Sequence, residues 1–181
     1  RFAQTHPKLL IFATVSRYQG KRFDQRARIA SIERRLESLQ TTLIVENDEG
    51  IVSLGASDRA WRTSRIATIW YQDILKTKSS EPIRFERFDF NHPLYILYSS
   101  GTTGAPKCIV HGAGGTLLQH VKEHQLHSDI HPQDRLFYFT TTGWMMWNWL
   151  ASALASDATI FLYDGSPVYP DYGVLWRMTQ E

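Results

Sequence analysis

Two apolar runs separated by a charged, periodic stretch open the chain. Leu9-Leu10-Ile11-Phe12-Ala13-Thr14-Val15 is continuous, the pattern of a strand buried in a parallel sheet. Thr42-Leu43-Ile44-Val45 repeats it. Between them Tyr18-Gln19-Gly20-Lys21 reads as a turn. Ile29, Ile32, Leu36 and Leu39 then fall along one face of a helix that Asp24 is placed to cap and that runs to about Leu39. Strand, helix, strand makes one βαβ unit. The pattern dissolves from Glu46 to Asp58, a polar connection. Ile66, Ile69, Trp70 and Ile74 predict a helix over 66–75, with Trp61 and Trp70 as packing residues. Lys76 to Pro82 reads as loop, and Arg84 to Asn91 alternates charge with phenylalanine.

The second half alternates in the same way. Leu94-Tyr95-Ile96-Leu97-Tyr98 predicts a short buried strand just after a proline, and Cys108-Ile109-Val110 another. Gly112 to Gly115 reads as a tight turn and Leu117 to Leu126 as a helix. Arg135 to Phe139 is a predicted strand, Trp144 to Ala155 a buried helix, and Thr159 to Leu162 a strand. The fold class is α/β, a mostly parallel sheet with flanking helices.

Composition narrows the class without naming a function. The chain has 181 residues, 43% apolar and 21% charged, as expected of a soluble globular protein. That length buries roughly 70% of its extended surface. Cys108 is the one cysteine, so no internal disulfide forms, which suits a reducing, cytoplasmic setting. Beside Lys107 it reads as a small buried residue opening a strand, because no base is suggested next to it for a nucleophile. Residues 1–35 hold nine Lys/Arg against two acids, a net +7, while the whole chain nets +2. Arg26, Arg28, Arg34 and Arg35 mostly fall off the apolar helix face, so this charge reads as a solvated exterior and not a nucleic-acid surface. The longest apolar stretch, Trp144 to Ala155, is interrupted by Asn148 and Ser152 and falls short of the ~20 residues that span a bilayer. The chain starts at Arg1 and stops at Glu181 within a predicted helix, so it reads as a piece of a longer polypeptide.

His120-Val121-Lys122-Glu123-His124 fits H-x-x-E-H, in which two histidines on one helix face bind zinc. The pattern fixes three positions in a chain with seven histidines. It also needs a third ligand, for which Asp129 and Asp134 are weak candidates. A surface helix is the better reading, and no metal site is assigned.

The densest chemistry follows the strand at 94–98. Ser99-Ser100-Gly101-Thr102-Thr103-Gly104-Ala105-Pro106-Lys107 contains four hydroxyl residues, two glycines and a terminal lysine. Gly101 and Gly104 permit backbone angles that let successive amides turn toward one point. Such concavities attract phosphate oxygens, and Lys107 adds a positive charge. The loop is a polyphosphate grip. It is not the Walker type, because Pro106 precedes Lys107 and Cys108 follows it.

Tyr98-Ser99-Ser100-Gly101-Thr102-Thr103-Gly104-Ala105-Pro106-Lys107 resembles the phosphate-loop signature of the adenylate-forming enzymes. Three further stretches resemble the acetoacetate–CoA ligases within that superfamily. They are Ile109-Val110-His111-Gly112-Ala113-Gly114-Gly115, Phe139 to Trp149, and Leu162-Tyr163-Asp164-Gly165-Ser166-Pro167. The resemblance is close over 91–181, looser over 1–45, and slight over 46–90.

It implies part of a large AMP-binding domain, with 1–90 an upstream βαβ portion, 91–181 the phosphate-loop and acyl-pocket portion, and the C-terminal domain absent. It implies a two-step reaction. Acetoacetate attacks the α-phosphate of ATP to give an acyl-adenylate and pyrophosphate, and the CoA thiol then displaces AMP. Residues 99–107 (Ser99, Ser100, Gly101, Thr102, Thr103, Gly104, Ala105, Pro106, Lys107) would hold the β- and γ-phosphates, with Mg2+ bridging them. Lys107 and Thr103 would be catalytic, and Ser99 and Thr103 the hydroxyls nearest phosphate or metal. Gly143, Trp144, Met145 and Met146 would line the acyl pocket, with Trp149 in the core and His111 structural. The partners implied are small molecules (acetoacetate, ATP and CoA), with no nucleic acid and no membrane. The family's later motifs are expected beyond Glu181, so these 181 residues alone are expected to be inactive. A ligase for another short acid such as acetate, and a non-catalytic nucleotide-binding remnant, are the alternatives.

Overall fold

The computed structural model describes residues 1–46, 66–77, 81–99 and 104–180. It is α/β and divides into two compact units, Arg1–Ile83 with Gly165–Glu181, and Arg84–Asp164.

In the first unit, β1 (Leu9–Ala13), β4 (Thr41–Val45) and β5 (Ala67–Trp70) form a parallel sheet in the order β1-β4-β5. Helix α1 (Arg26–Arg35) connects β1 to β4, giving the predicted βαβ unit. Its apolar face packs on the sheet: Phe12, Ile29, Ile44 and Trp70 form one buried cluster, and Leu36, Leu39 and Ile66 a second. Thr42 and Glu33 are both buried and satisfy each other, the Thr42 hydroxyl donating to Glu33 Oε1 at 2.7 Å.

Three features of this unit depart from the sequence expectation. The apolar run at 9–15 is not one buried strand. Leu9 and Ile11 are exposed while Phe12 is buried, and Val15 already belongs to a hairpin of β2 (Val15–Tyr18) with β3 (Lys21–Asp24). The predicted turn is its tip. Gln19 and Gly20 both take positive φ, 50° and 72°, as two-residue hairpin turns of this hand require. A Cβ on Gly20 would also lie 2.4 Å from the Tyr169 hydroxyl.

The helix is shorter than expected, ending at Arg35. Asp24 does accept the Arg26 backbone N–H at 2.9 Å. Its side-chain bond to the Arg26 guanidinium holds its carboxyl down to about 2. Finally, 66–70 is not helical: Ala67–Trp70 is β5, and only Tyr71–Lys76 forms a helix, α2. Thr68, Ile69 and Trp70 are β-branched or aromatic, and such side chains fit a pleated surface. Trp70 is buried in the core as expected; Trp61 and most of the 46–58 connection lie outside the described residues.

In the second unit, β6 (Pro93–Ser99) and β7 (Lys107–Gly112) pair antiparallel. Leu94 and Ile96 are exposed, at 52% and 37%, so this pair is not the buried strand expected. Cys108, expected to be buried, is exposed in β7. Helix α3 (Ala113–Lys122) follows directly, and Gly112 is its extended N-cap residue, where the sequence suggested a turn through Gly115. A Cβ on Gly114 would come within 2.2 Å of the Phe90 ring, and the Gly114 N–H donates to the Phe90 carbonyl at 2.9 Å. Any larger residue there would require the exposed Phe90 ring to move.

After α3 the backbone widens into a π-helical turn, Glu123–His127. Then β8 (Arg135–Phe137), α4 (Met145–Ser152) and β9 (Thr159–Phe161) make a second βαβ unit with parallel strands. Ile130, Ala153 and Ala158 form its core, with Leu136, Trp149 and Ile160 packed around them. Helix α5 (Val174–Met178) belongs to the first unit. No helix among the described residues is long and apolar enough to cross a membrane.

Candidate functional site

The phosphate-loop motif is strung between the paired strands of the second unit. Ser99 ends β6, Lys107 begins β7, and the two are register partners. Ser100, Gly101, Thr102 and Thr103 lie outside the described residues. Gly104 takes φ 110°, with open space around the position of a Cβ. Ala105 and Lys107 are exposed and Pro106 is half-buried. Side chains alternate across a strand, so Lys107, Ile109 and His111 share one face of β7. Tyr95 is opposite His111, and their rings stand 5.2 Å apart. Burial raises the Tyr95 phenol, partly offset by a hydrogen bond with Thr116 of α3.

On the same unit α3, its π turn and α4 enclose a cleft of about 510 Å³ with β7. Of the four expected acyl-pocket residues, Met145 and Met146 line it, while Gly143 and Trp144 do not. Trp144 precedes α4 and is 63% exposed. Trp149 lines the cleft and also packs against the core. The cleft's polar wall is made by Asn91, His111, Thr116, Gln119, His120 and Glu123.

Most of that wall is already committed. Gln119 donates its side-chain amide to Glu123 Oε1, and the Trp149 indole donates to Glu123 Oε2 at 3.1 Å. His120 Nδ1 is 2.7 Å from the Ser152 hydroxyl. Thr116 is tied to Tyr95, so Asn91 and His111 carry the cleft's polar side chains that make no hydrogen bond among the described residues.

The H-x-x-E-H residues therefore do not form the surface helix expected from their polarity. His120 is 7% exposed and His124 fully buried. The His124 ring meets Trp149 edge-on, at 4.5 Å between centroids. Among the described residues neither of its nitrogens has a hydrogen-bond partner; the Trp149 backbone bears on it but lies outside hydrogen-bond geometry. Burial lowers the pKa of both rings. For His120 the neighbouring His124 and His111 lower it further, while Glu123 opposes.

Asp129 and Asp134 flank His131 instead, at 3.7 and 3.9 Å. Among the described residues no group of three or more His, Cys, Asp or Glu could hold a metal ion. The motif's hydroxyls and backbone N–H groups would suit phosphate oxygens, and of these only the hydroxyl oxygens would suit a hard cation.

The second unit thus sets the Ser/Thr/Gly motif between paired strands and a methionine-lined cleft beside β7, on an α/β scaffold. The sequence matches the family described as AMP-binding enzyme over residues 1–181, and the chain belongs to that family. Within it the chain is 47% identical over 176 residues to the acetoacetyl-coenzyme A synthetase of Rhizobium meliloti (strain 1021), covering 97% of this chain and 26% of that protein. It is 44% identical over 171 residues to a malonamoyl-CoA synthetase of Penicillium aethiopicum, covering 93% of this chain and 23% of that one. The solved acetoacetyl-CoA synthetase from Streptomyces lividans superposes with a TM-score of 0.83 at 38% identity, over 99% of this chain and 26% of that chain. The similarity thus runs through the 1–90 half as well. The chain spans about a quarter of the length of these relatives.

Proposed function

We propose that these residues are the phosphate-gripping and acid-binding portion of an acid–thiol ligase that activates acetoacetate. The acetoacetate carboxylate displaces pyrophosphate from ATP, forming acetoacetyl-adenylate. The CoA thiol then displaces AMP, giving acetoacetyl-CoA. The observation that carries this reading is the placement, in one unit, of Ser99 opposite Lys107 and of β7, which Lys107 opens, along the Met145–Met146 cleft.

Lys107 and the loop amides offset the charge that grows on the departing pyrophosphate. Ser99 and Thr103 supply the hydroxyls. Mg2+, carried on the nucleotide, supplies further neutralisation of phosphate charge. Met145 and Met146 limit the length of the acid, with Gly143 and Trp144 leading the chain into that helix. A reducing, cytoplasmic setting suits the exposed Cys108.

The relatives' names define a substrate class more closely than either does alone. Acetoacetyl and malonamoyl groups differ at the far end, methyl against amino. They share a carbonyl β to the activated carboxyl group. Short acids with that carbonyl are the class we assign.

The test is ATP–pyrophosphate exchange by the full-length protein that carries these residues, with acetoacetate, acetate or no acid. Exchange strongest with acetoacetate is expected. Exchange with acetate alone would remove the acid assignment and keep the phosphate-loop assignment. No exchange with any acid would overturn both.

A further inference from the structure

We propose that His111 is the specificity-determining residue that hydrogen-bonds the β-carbonyl oxygen of the acid. The inference rests on reading the cleft as the acid pocket. The cleft can accommodate an apolar chain against Met145, Met146 and Trp149, but a carbonyl oxygen placed there needs a donor, since an unmatched buried polar group is costly.

The wall offers few. The Gln119 amide and the Trp149 indole both donate to Glu123, and His120 is bonded to Ser152 and buried. Asn91 is exposed in the segment before β6. His111 is half-buried in β7, lines the cleft, and makes no hydrogen bond among the described residues. Its ring is positioned by its cross-strand contact with Tyr95, which is itself bonded to Thr116 of α3.

Its place along the strand also fits the reaction. His111 lies four residues beyond Lys107 on the same face of β7, about 13 Å along the strand at ~3.3 Å per residue. A phosphate held at the Lys107 end and an acid carbonyl held at His111 leave room between them for the α-phosphate and the attacking carboxylate. An imidazole N–H is a hydrogen-bond donor, the group a carbonyl oxygen requires.

The experiment compares acetoacetate with butyrate, which has the same carbon count and no β-carbonyl. ATP–pyrophosphate exchange is measured for both acids on the full-length protein and on His111→Phe, which keeps a ring against Tyr95. The preference for acetoacetate over butyrate in kcat/KM should shrink by roughly ten- to a hundredfold, as expected when a polar group matched to substrate is removed. An unchanged preference, including an equal fall on both acids, overturns the proposal while leaving the acid-activating reading intact. A wild-type protein that exchanges with no acid would instead remove that reading and this inference with it. Should His111→Phe fail to fold, His111→Leu is read by the same ratio.

Discussion

His124→Leu should stabilise the protein. The wild-type imidazole is fully buried with both nitrogens unpartnered among the described residues, and leaving a buried donor or acceptor unsatisfied costs about 1–3 kcal/mol. Leucine is of similar bulk and removes both polar atoms. Against that, the edge-on contact with Trp149 is lost, worth about 0.5–1.5 kcal/mol, and the different shape adds a repacking cost of under ~1.5 kcal/mol. Two such atoms at the low end of their range return about 2 kcal/mol, against about 1 kcal/mol for the lost contact. With little repacking the net is a gain of up to about 1 kcal/mol, or up to roughly 2–4 °C in Tm for a chain of this size.

The pH dependence supplies a second readout. Burial lowers the folded-state pKa of His124 below its ordinary value of about 6.5. The unfolded chain therefore takes up the proton first as pH falls. Wild-type stability should be complete above about pH 6.5 and decline below it, levelling only once pH passes the lowered folded value. In His124→Leu the acid-side decline should be shallower, leaving the share due to His120. Thermal melts of both proteins at pH 7.5 and 5.5 give both answers. A loss of about 2 kcal/mol or more at pH 7.5 would refute the reasoning, because it would mean that the ring nitrogens are satisfied and sustain the packing.

Lys107→Ala should lower pyrophosphate exchange by roughly 10²–10³-fold, the scale of removing one donor to a developing anion. Its melt should stay within about 0.5 kcal/mol of wild type, since Lys107 is exposed. Ile44→Ala, at a position with no exposed surface, should cost about 2–5 kcal/mol in denaturant unfolding, while Leu154→Ala, 58% exposed, should cost far less. Met146→Ala should extend acceptance toward longer acids, by roughly 10–200-fold in kcat/KM per added methylene that the enlarged cleft accommodates.

The parts of the fold legible in the sequence are those where one physical signal dominates. The runs at Leu9–Ala13 and Thr41–Val45 are apolar and branched, and the periodic stretch between them could only be a helix between parallel strands. At 66–75 two signals competed. The spacing of Ile66, Ile69, Trp70 and Ile74 suits a helix, whereas Thr68, Ile69 and Trp70 are strand formers that find a parallel partner in β4. Pairing with a distant strand won, and spacing within the segment carries no trace of that partner.

The β2–β3 hairpin was visible only at its tip, because both of its strands are largely exposed and charged. The histidines misled for a different reason. Polarity places His120 and His124 on a surface, but Ser152 and Trp149, some thirty residues on, cover them. In the candidate site, the loop's residue types stood out by composition alone. His111 did not, since a lone histidine in a strand gives no sign of the cleft that α3 and α4 build beside it.

The register pairing of Ser99 with Lys107 has a consequence for how a nucleotide would be captured. Paired strands hold their backbones about 5 Å apart, so the chain between Ser99 and Lys107 has its ends together before any ligand arrives. The entropy of bringing its ends together belongs to forming the β6–β7 pair, and depends only weakly on how many residues the loop contains. A residue added between the strands would leave Lys107 anchored opposite Ser99. In the proposed role, the residues between the strands can therefore change without moving the backbone of Lys107.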